Sequence, residues 1–90
     1  MLSKEQFEQE IFRIAKRQGY NIEKNKRNGL KQIVFDHKKL HADHIQQLYP
    51  DILTRTEELP KLIEKVAPGR PCTHRPMREI IYQIKQNCFN

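Results

Sequence analysis

Residues 20–36 read Tyr20-Asn21-Ile22-Glu23-Lys24-Asn25-Lys26-Arg27-Asn28-Gly29-Leu30-Lys31-Gln32-Ile33-Val34-Phe35-Asp36, and the way they fold decides the class of the whole chain. Two readings compete. In the first, Tyr20-Asn21-Ile22 and Ile33-Val34-Phe35 are the strands of a β-hairpin over about 20–35. The β-branched and aromatic side chains of the second run favour extended chain, and Asn28-Gly29 supplies the positive φ angles of a tight turn. In the second, Asn28 caps a helix that continues through Leu30, Ile33, Val34, His37, His41, Ile45 and Leu48, all at helical spacing. That reading gives an all-α four-helix domain. The hairpin is preferred, because Glu23 to Arg27 offers no apolar face and Asp36 is placed to cap a separate helix. The fold expected is therefore α+β and mostly helical: an N-terminal helix, a β-hairpin, then three helices.

N-terminal to this stretch, Ser3 and Gln6 have the spacing of a capping box, in which each side chain satisfies one free backbone N–H. Phe7, Ile11, Ile14 and Ala15 follow at spacings of three and four. Acidic residues come early and Lys16 and Arg17 late, as the helix dipole favours, and Gly19 is a stop signal. C-terminal to it, His37 to Tyr49 reads as a helix closed by Pro50, with Asp51 to Leu53 a short bridge. Thr54 and Glu57 form a second capping-box pattern before a helix that buries Leu59, Leu62, Ile63 and Val66, with Pro60 in its first turn, where a missing N–H matters least. After the stiff turn Pro68-Gly69-Arg70-Pro71, Thr73 caps a last helix with the apolar stripe Met77, Ile80, Ile81 and Ile84.

The chain has 90 residues, 37% hydrophobic and 31% charged. That length favours a single domain, 1–90, with a thin core, and a homodimer is one way to enlarge it. No apolar run is long enough to span a bilayer and no signal-peptide pattern opens the chain, so no membrane partner and a cytoplasmic location are expected. Cys72 and Cys88 fit no metal or redox spacing. Free thiols are the expectation, with a Cys72–Cys88 disulfide as the alternative.

Charge is segregated. Lys16, Arg17, Lys24, Lys26, Arg27, Lys31, Lys38 and Lys39 lie within one stretch that holds only Glu23 and Asp36 as acids, and this surplus equals the whole net charge of +6. Such a patch neutralises phosphates, which gives affinity without sequence preference, and Tyr20 and Phe35 could add stacking surfaces for bases. The first expectation is a small non-enzymatic module that binds nucleic acid, DNA or RNA, through these eight residues. The same charge suits an acidic protein surface. The second expectation is therefore a protein-binding regulator or inhibitor of other macromolecules, of the phage- or plasmid-type accessory kind, acting on nucleic-acid machinery.

His37, His41 and His44 share one face of the helix expected there, beside Asp36 and Asp43, and imidazole with carboxylate is ordinary ligand chemistry for zinc. Cys72 and His74 would complete a site only if the last turn folds back. Histidines at helical spacing more often pack or touch water, and no Cys-x-x-Cys supports them, so neither metal nor cofactor is expected. A metal-dependent hydrolase is the third reading. Asp43-His44-Ile45 resembles the Asp-His-Ile core of HNH nucleases, which implies a histidine that activates water beside a phosphate-bound metal; that family's downstream asparagine and histidine have no counterpart at the usual reach. Gly69-Arg70-Pro71 resembles the centre of an AT-hook, which lays an arginine in the minor groove, but its flanks lack the further basic residues. No nucleophile elbow, Walker loop or dinucleotide turn is present.

Overall fold

The computed structural model describes residues 2–49, 51–70 and 73–88. Helix α1 (Lys4–Arg17) is followed by strands β1 (Asn21–Lys24), β2 (Lys31–Phe35) and β3 (Lys38–His41). Then come helices α2 (Ala42–Leu48), α3 (Asp51–Thr54), α4 (Leu59–Val66) and α5 (His74–Cys88), with a 3-10 turn over Thr56–Glu58 before α4. The class is α+β, as the hairpin reading requires.

Helix α1 begins with the capping box that its sequence spells. The Gln6 N–H donates to Ser3 Oγ at 3.1 Å, and the Ser3 N–H donates to Gln6 Oε1 at 2.9 Å. It ends where Gly19 takes a φ of 97°, a conformation open to glycine at no steric cost. The sheet has the order β1-β2-β3, antiparallel throughout. Side chains alternate across it. Ile33, Phe35 and Leu40 point into the core, where they join Phe7, Ile11 and Ile14 of α1, Ile45 and Leu48 of α2, and Ile80 and Ile84 of α5. The opposite face, with Glu23, Gln32, Val34 and Lys39, carries no helix among the described residues.

The third strand replaces the start of an expected helix. Asp36 does not cap a helix; it takes a φ of 56°, a left-handed conformation that Asp and Asn tolerate better than other side chains. This reverses the chain within Asp36-His37 and pairs Lys38 with Phe35 and Leu40 with Ile33. The apolar spacing of Ile33, His37 and His41 was compatible with a helix, but Leu40 fills the core equally well from a strand. Two smaller corrections lie further on. Asp51 to Thr54 is a helical turn rather than a bridge, and Thr54 donates its hydroxyl back to the Asp51 carbonyl at 3.1 Å instead of capping α4. Thr73 is buried at the entry to α5, where its hydroxyl donates to the Arg70 carbonyl at 2.9 Å. Pro50 as a helix stop and Cys72 lie outside the described residues, as does the side chain of Cys88. Among those described, no helix is long and apolar enough to cross a membrane.

Candidate nucleic-acid interface

The hairpin tip is built by one side chain. Asn25 Oδ1 accepts from the N–H groups of Arg27 (2.8 Å) and Asn28 (3.3 Å). The Asn25 N–H donates to the Leu30 carbonyl, and the Gly29 N–H donates to the Asn25 carbonyl, each at 2.8 Å. The result is a four-residue loop, Lys26 to Gly29, instead of a tight turn with two positive φ angles. Only Gly29 is left-handed here, at φ 72°. Because local groups satisfy the backbone of this loop, Lys26 and Arg27 are free to hold their side chains in water, and both are exposed.

Lys24 and Lys31 face each other at the base of the tip. Lys16 and Arg17 end α1, and Lys38 and Lys39 lie on β3. Of these eight, Lys39 forms an ion pair with Glu23 at 3.3 Å, and Arg17 donates to Gln83 Oε1 at 3.2 Å. Lys16, Lys24, Lys26, Arg27, Lys31 and Lys38 make neither an ion pair nor a side-chain hydrogen bond with any described residue. The Lys39 hydrogen bond, then the Gln32 amide, hold the Glu23 carboxyl below its ordinary range. Glu23 is thus ionised and spent on Lys39, leaving the tip without a counter-charge among the described residues.

These residues border two different surfaces. Beneath the hairpin, a groove of about 650 Å³ runs between α1 and the tip. Phe12, Ile22 and Leu30 line it, with Arg13, Lys16 and Lys31 as its basic side chains and Glu8 as its acidic one. On the uncovered sheet face, two shallow hollows meet at Asn25, Gln32 and Lys39; one extends toward Lys26 and Arg27, the other toward His41 and Arg70. Gln32 is only 3% exposed although it stands on this outer face. Asn25 Nδ2 donates to its Oε1, and its Nε2 donates to Glu23 Oε2, both at 3.3 Å. A line of amide and carboxylate contacts therefore crosses the sheet from the tip to Lys39.

The histidines do not share a helix face. His37 is in the β2–β3 turn, His41 is the residue before α2, and His44 is in the first turn of α2. The His41 and His44 rings meet edge to face at 5.1 Å, and the His41 backbone N–H donates to His44 Nδ1 at 3.1 Å. That bond puts the neutral ring's proton on Nε2. Burial first, then the charges of His41 and Arg70, push the His44 imidazole below its ordinary value. No three His, Cys, Asp or Glu among the described residues converge as a metal site. His44, the residue of the HNH resemblance, serves as the acceptor that starts α2. Cys72, part of the folded-back site considered above, lies outside the described residues.

Phe35 is also corrected. It is buried, edge to face with Tyr20 at 4.9 Å, so it offers no surface to a base. Sequence reasoning missed Arg70, which reaches the edge of β3 from the α4–α5 connector. Its Nε donates to the Lys39 carbonyl at 2.8 Å. Nothing local in the sequence links residues 31 positions apart. Comparison with protein-family models, curated proteins and solved structures finds no match.

Proposed function

We propose that this protein is a non-enzymatic nucleic-acid-binding module that grips phosphates with its basic hairpin and the adjoining end of α1. One observation carries the reading: six basic side chains on and around the hairpin lack any partner charge among the described residues. Cations held apart from carboxylates keep their counterions loose, and phosphates displace those counterions with a gain in entropy.

The test replaces Lys24, Lys26 and Arg27 together with Glu. These side chains support little packing, so the melting temperature should stay within a few degrees. Affinity for nucleic acid should collapse, and the slope of log affinity against log salt should shrink by roughly one unit per lost contact. The loss should be alike across sequences, since phosphate contacts do not read bases. A triple variant that binds as the wild type does, or a wild type that binds neither DNA nor RNA at low salt, removes this reading.

The groove under the hairpin favours a second reading, a protein-binding regulator. Its apolar lining and its Lys16 and Lys31 side chains match a segment that carries both acidic and apolar side chains. Lys16→Glu with Lys31→Glu would abolish binding to such a segment while leaving the tip intact. Both readings suit a cytoplasmic protein.

A further inference from the structure

We infer that the uncovered sheet face, between the hairpin tip and Arg70, is the track on which the phosphate backbone of a nucleic-acid duplex lies, and that Glu23 restrains binding there. The inference rests on the reading above and names the surface, the ligand form and a residue from outside the basic stretch.

Arg70 completes the track. The connector brings it onto the same hollow as Lys38, Lys39 and His41. Its Nε is held by the Lys39 carbonyl and its Nη1 by the Pro68 carbonyl at 3.1 Å. The guanidinium is therefore fixed in place beside a lysine, with donors left to offer an anion. At the other end stand Lys26 and Arg27. Lys39 pairs with Val34, and the tip begins beyond Lys31. Three residues of strand separate them, about 10 Å at ~3.3 Å per residue.

The face also selects the form of the nucleic acid. Among the described residues it presents amides, cations, Glu23 and Val34 but no Phe, Tyr or Trp, since Tyr20 and Phe35 pack against one another and Phe35 is in the core. Proteins that hold single strands without sequence preference rely on aromatic platforms for stacking. A face with charge and no platform suits a duplex, whose bases are already stacked and whose phosphates are presented at regular spacing.

Glu23 lies in the middle of this track, ionised and paired with Lys39. It repels an approaching phosphate and occupies the lysine that would meet it. Removing its charge while keeping its shape should therefore strengthen binding, an effect that a damaged fold does not produce.

The experiment measures affinity of the full chain for a short mixed-sequence duplex DNA, and for one of its single strands, over a range of salt. Melting curves are recorded for each variant. Duplex should bind more tightly than single strand. Arg70→Gln should weaken duplex binding and reduce the salt slope by about 0.9, the value for one phosphate contact on duplex DNA; Arg70→Lys should restore most of that slope. Glu23→Gln should tighten binding and steepen the slope by about 0.9 as Lys39 becomes available. If Arg70→Gln and Glu23→Gln bind as the wild type does while the triple tip variant loses binding, the sheet-face track is wrong and the hairpin reading stands. Tighter binding of the single strand overturns the duplex assignment. A wild type that binds neither form overturns both the reading and the track.

Discussion

His44 offers a single ring nitrogen to hold the start of α2. Its Nδ1 accepts the His41 N–H only while that nitrogen is unprotonated. Burial, the His41 charge and the Arg70 charge all disfavour the imidazolium, and Asp43 opposes them. The folded chain thus binds this proton less readily than the unfolded chain does. The stability from His44 is complete above the ordinary histidine range and is lost as pH falls through the lower folded value. The wild type should lose melting temperature between pH 7 and pH 5. His44→Gln, which keeps an acceptor but cannot titrate, should lose less over the same interval. Equal slopes for the two proteins would show that His44 does not carry the effect. Asp36 permits a second measurement at this scale. Its φ of 56° suits Gly, and Asp at smaller cost, but not a β-branched residue. Asp36→Val should cost about 1–2 kcal/mol in denaturant unfolding, and Asp36→Gly should lie within about 1 kcal/mol of the wild type. If the valine variant is equally stable, the turn is not what holds β3 in register.

The elements show which signals a sequence carries and which it conceals. Helix α1 was legible to its cap because Ser3, Gln6 and Gly19 act on their own neighbours. The hairpin was legible from Ile33-Val34-Phe35 and Asn28-Gly29 for the same reason, although Asn25 rather than Asn28 organises its tip. Strand β3 was hidden. Lys38-Lys39-Leu40-His41 has one apolar residue, and Leu40 only acquires meaning once Ile33 lies opposite it. The candidate site divides in the same way. Its lysines could be counted along the chain, but Arg70, the Glu23–Lys39 pair and the burial of Phe35 arise from tertiary packing. The apolar stripe of α5 was readable, and Ile80 and Ile81 are both buried. Ile80→Ala should cost on the order of 2–4 kcal/mol, measured by urea unfolding. A loss below about 1 kcal/mol would mean that the site collapses around the smaller side chain.

At the scale of the molecule, core and charge occupy different places. The radius of gyration is 12.0 Å, close to the roughly 12 Å that a compact chain of this length gives, so the hairpin does not open the body. A domain of this size has a small stability margin, about 5–15 kcal/mol at most. A ligand that binds only the folded form shifts that margin visibly. At a hundredfold excess of duplex over its dissociation constant the gain is about 2.7 kcal/mol, and each kcal/mol moves the midpoint of such a domain by roughly 4–8 °C. Duplex DNA at low salt should therefore raise the melting temperature by on the order of 10 °C, and the shift should vanish at high salt as counterions screen the face. An unchanged midpoint at saturating DNA would remove the proposed function.

The hairpin tip also has a chemical lifetime. In a flexible chain an Asn-Gly pair ages: the glycine nitrogen attacks the asparagine side-chain carbonyl, ammonia leaves, and hydrolysis of the ring yields a carboxylate. At Asn28-Gly29 the attacking nitrogen is committed to the Asn25 carbonyl at 2.8 Å, and Asn28 Oδ1 accepts from the Leu30 N–H at 2.9 Å. Both bonds hold the amide away from the attack geometry, so the folded tip should deamidate far more slowly than the same residues in a short peptide. Asn25→Ala, which removes the side chain that organises the loop, should speed the reaction, visible as a growing acidic peak on ion exchange. The aged molecule would carry a new negative charge beside Lys26 and Arg27. Storage alone would then weaken the grip of the tip on phosphate.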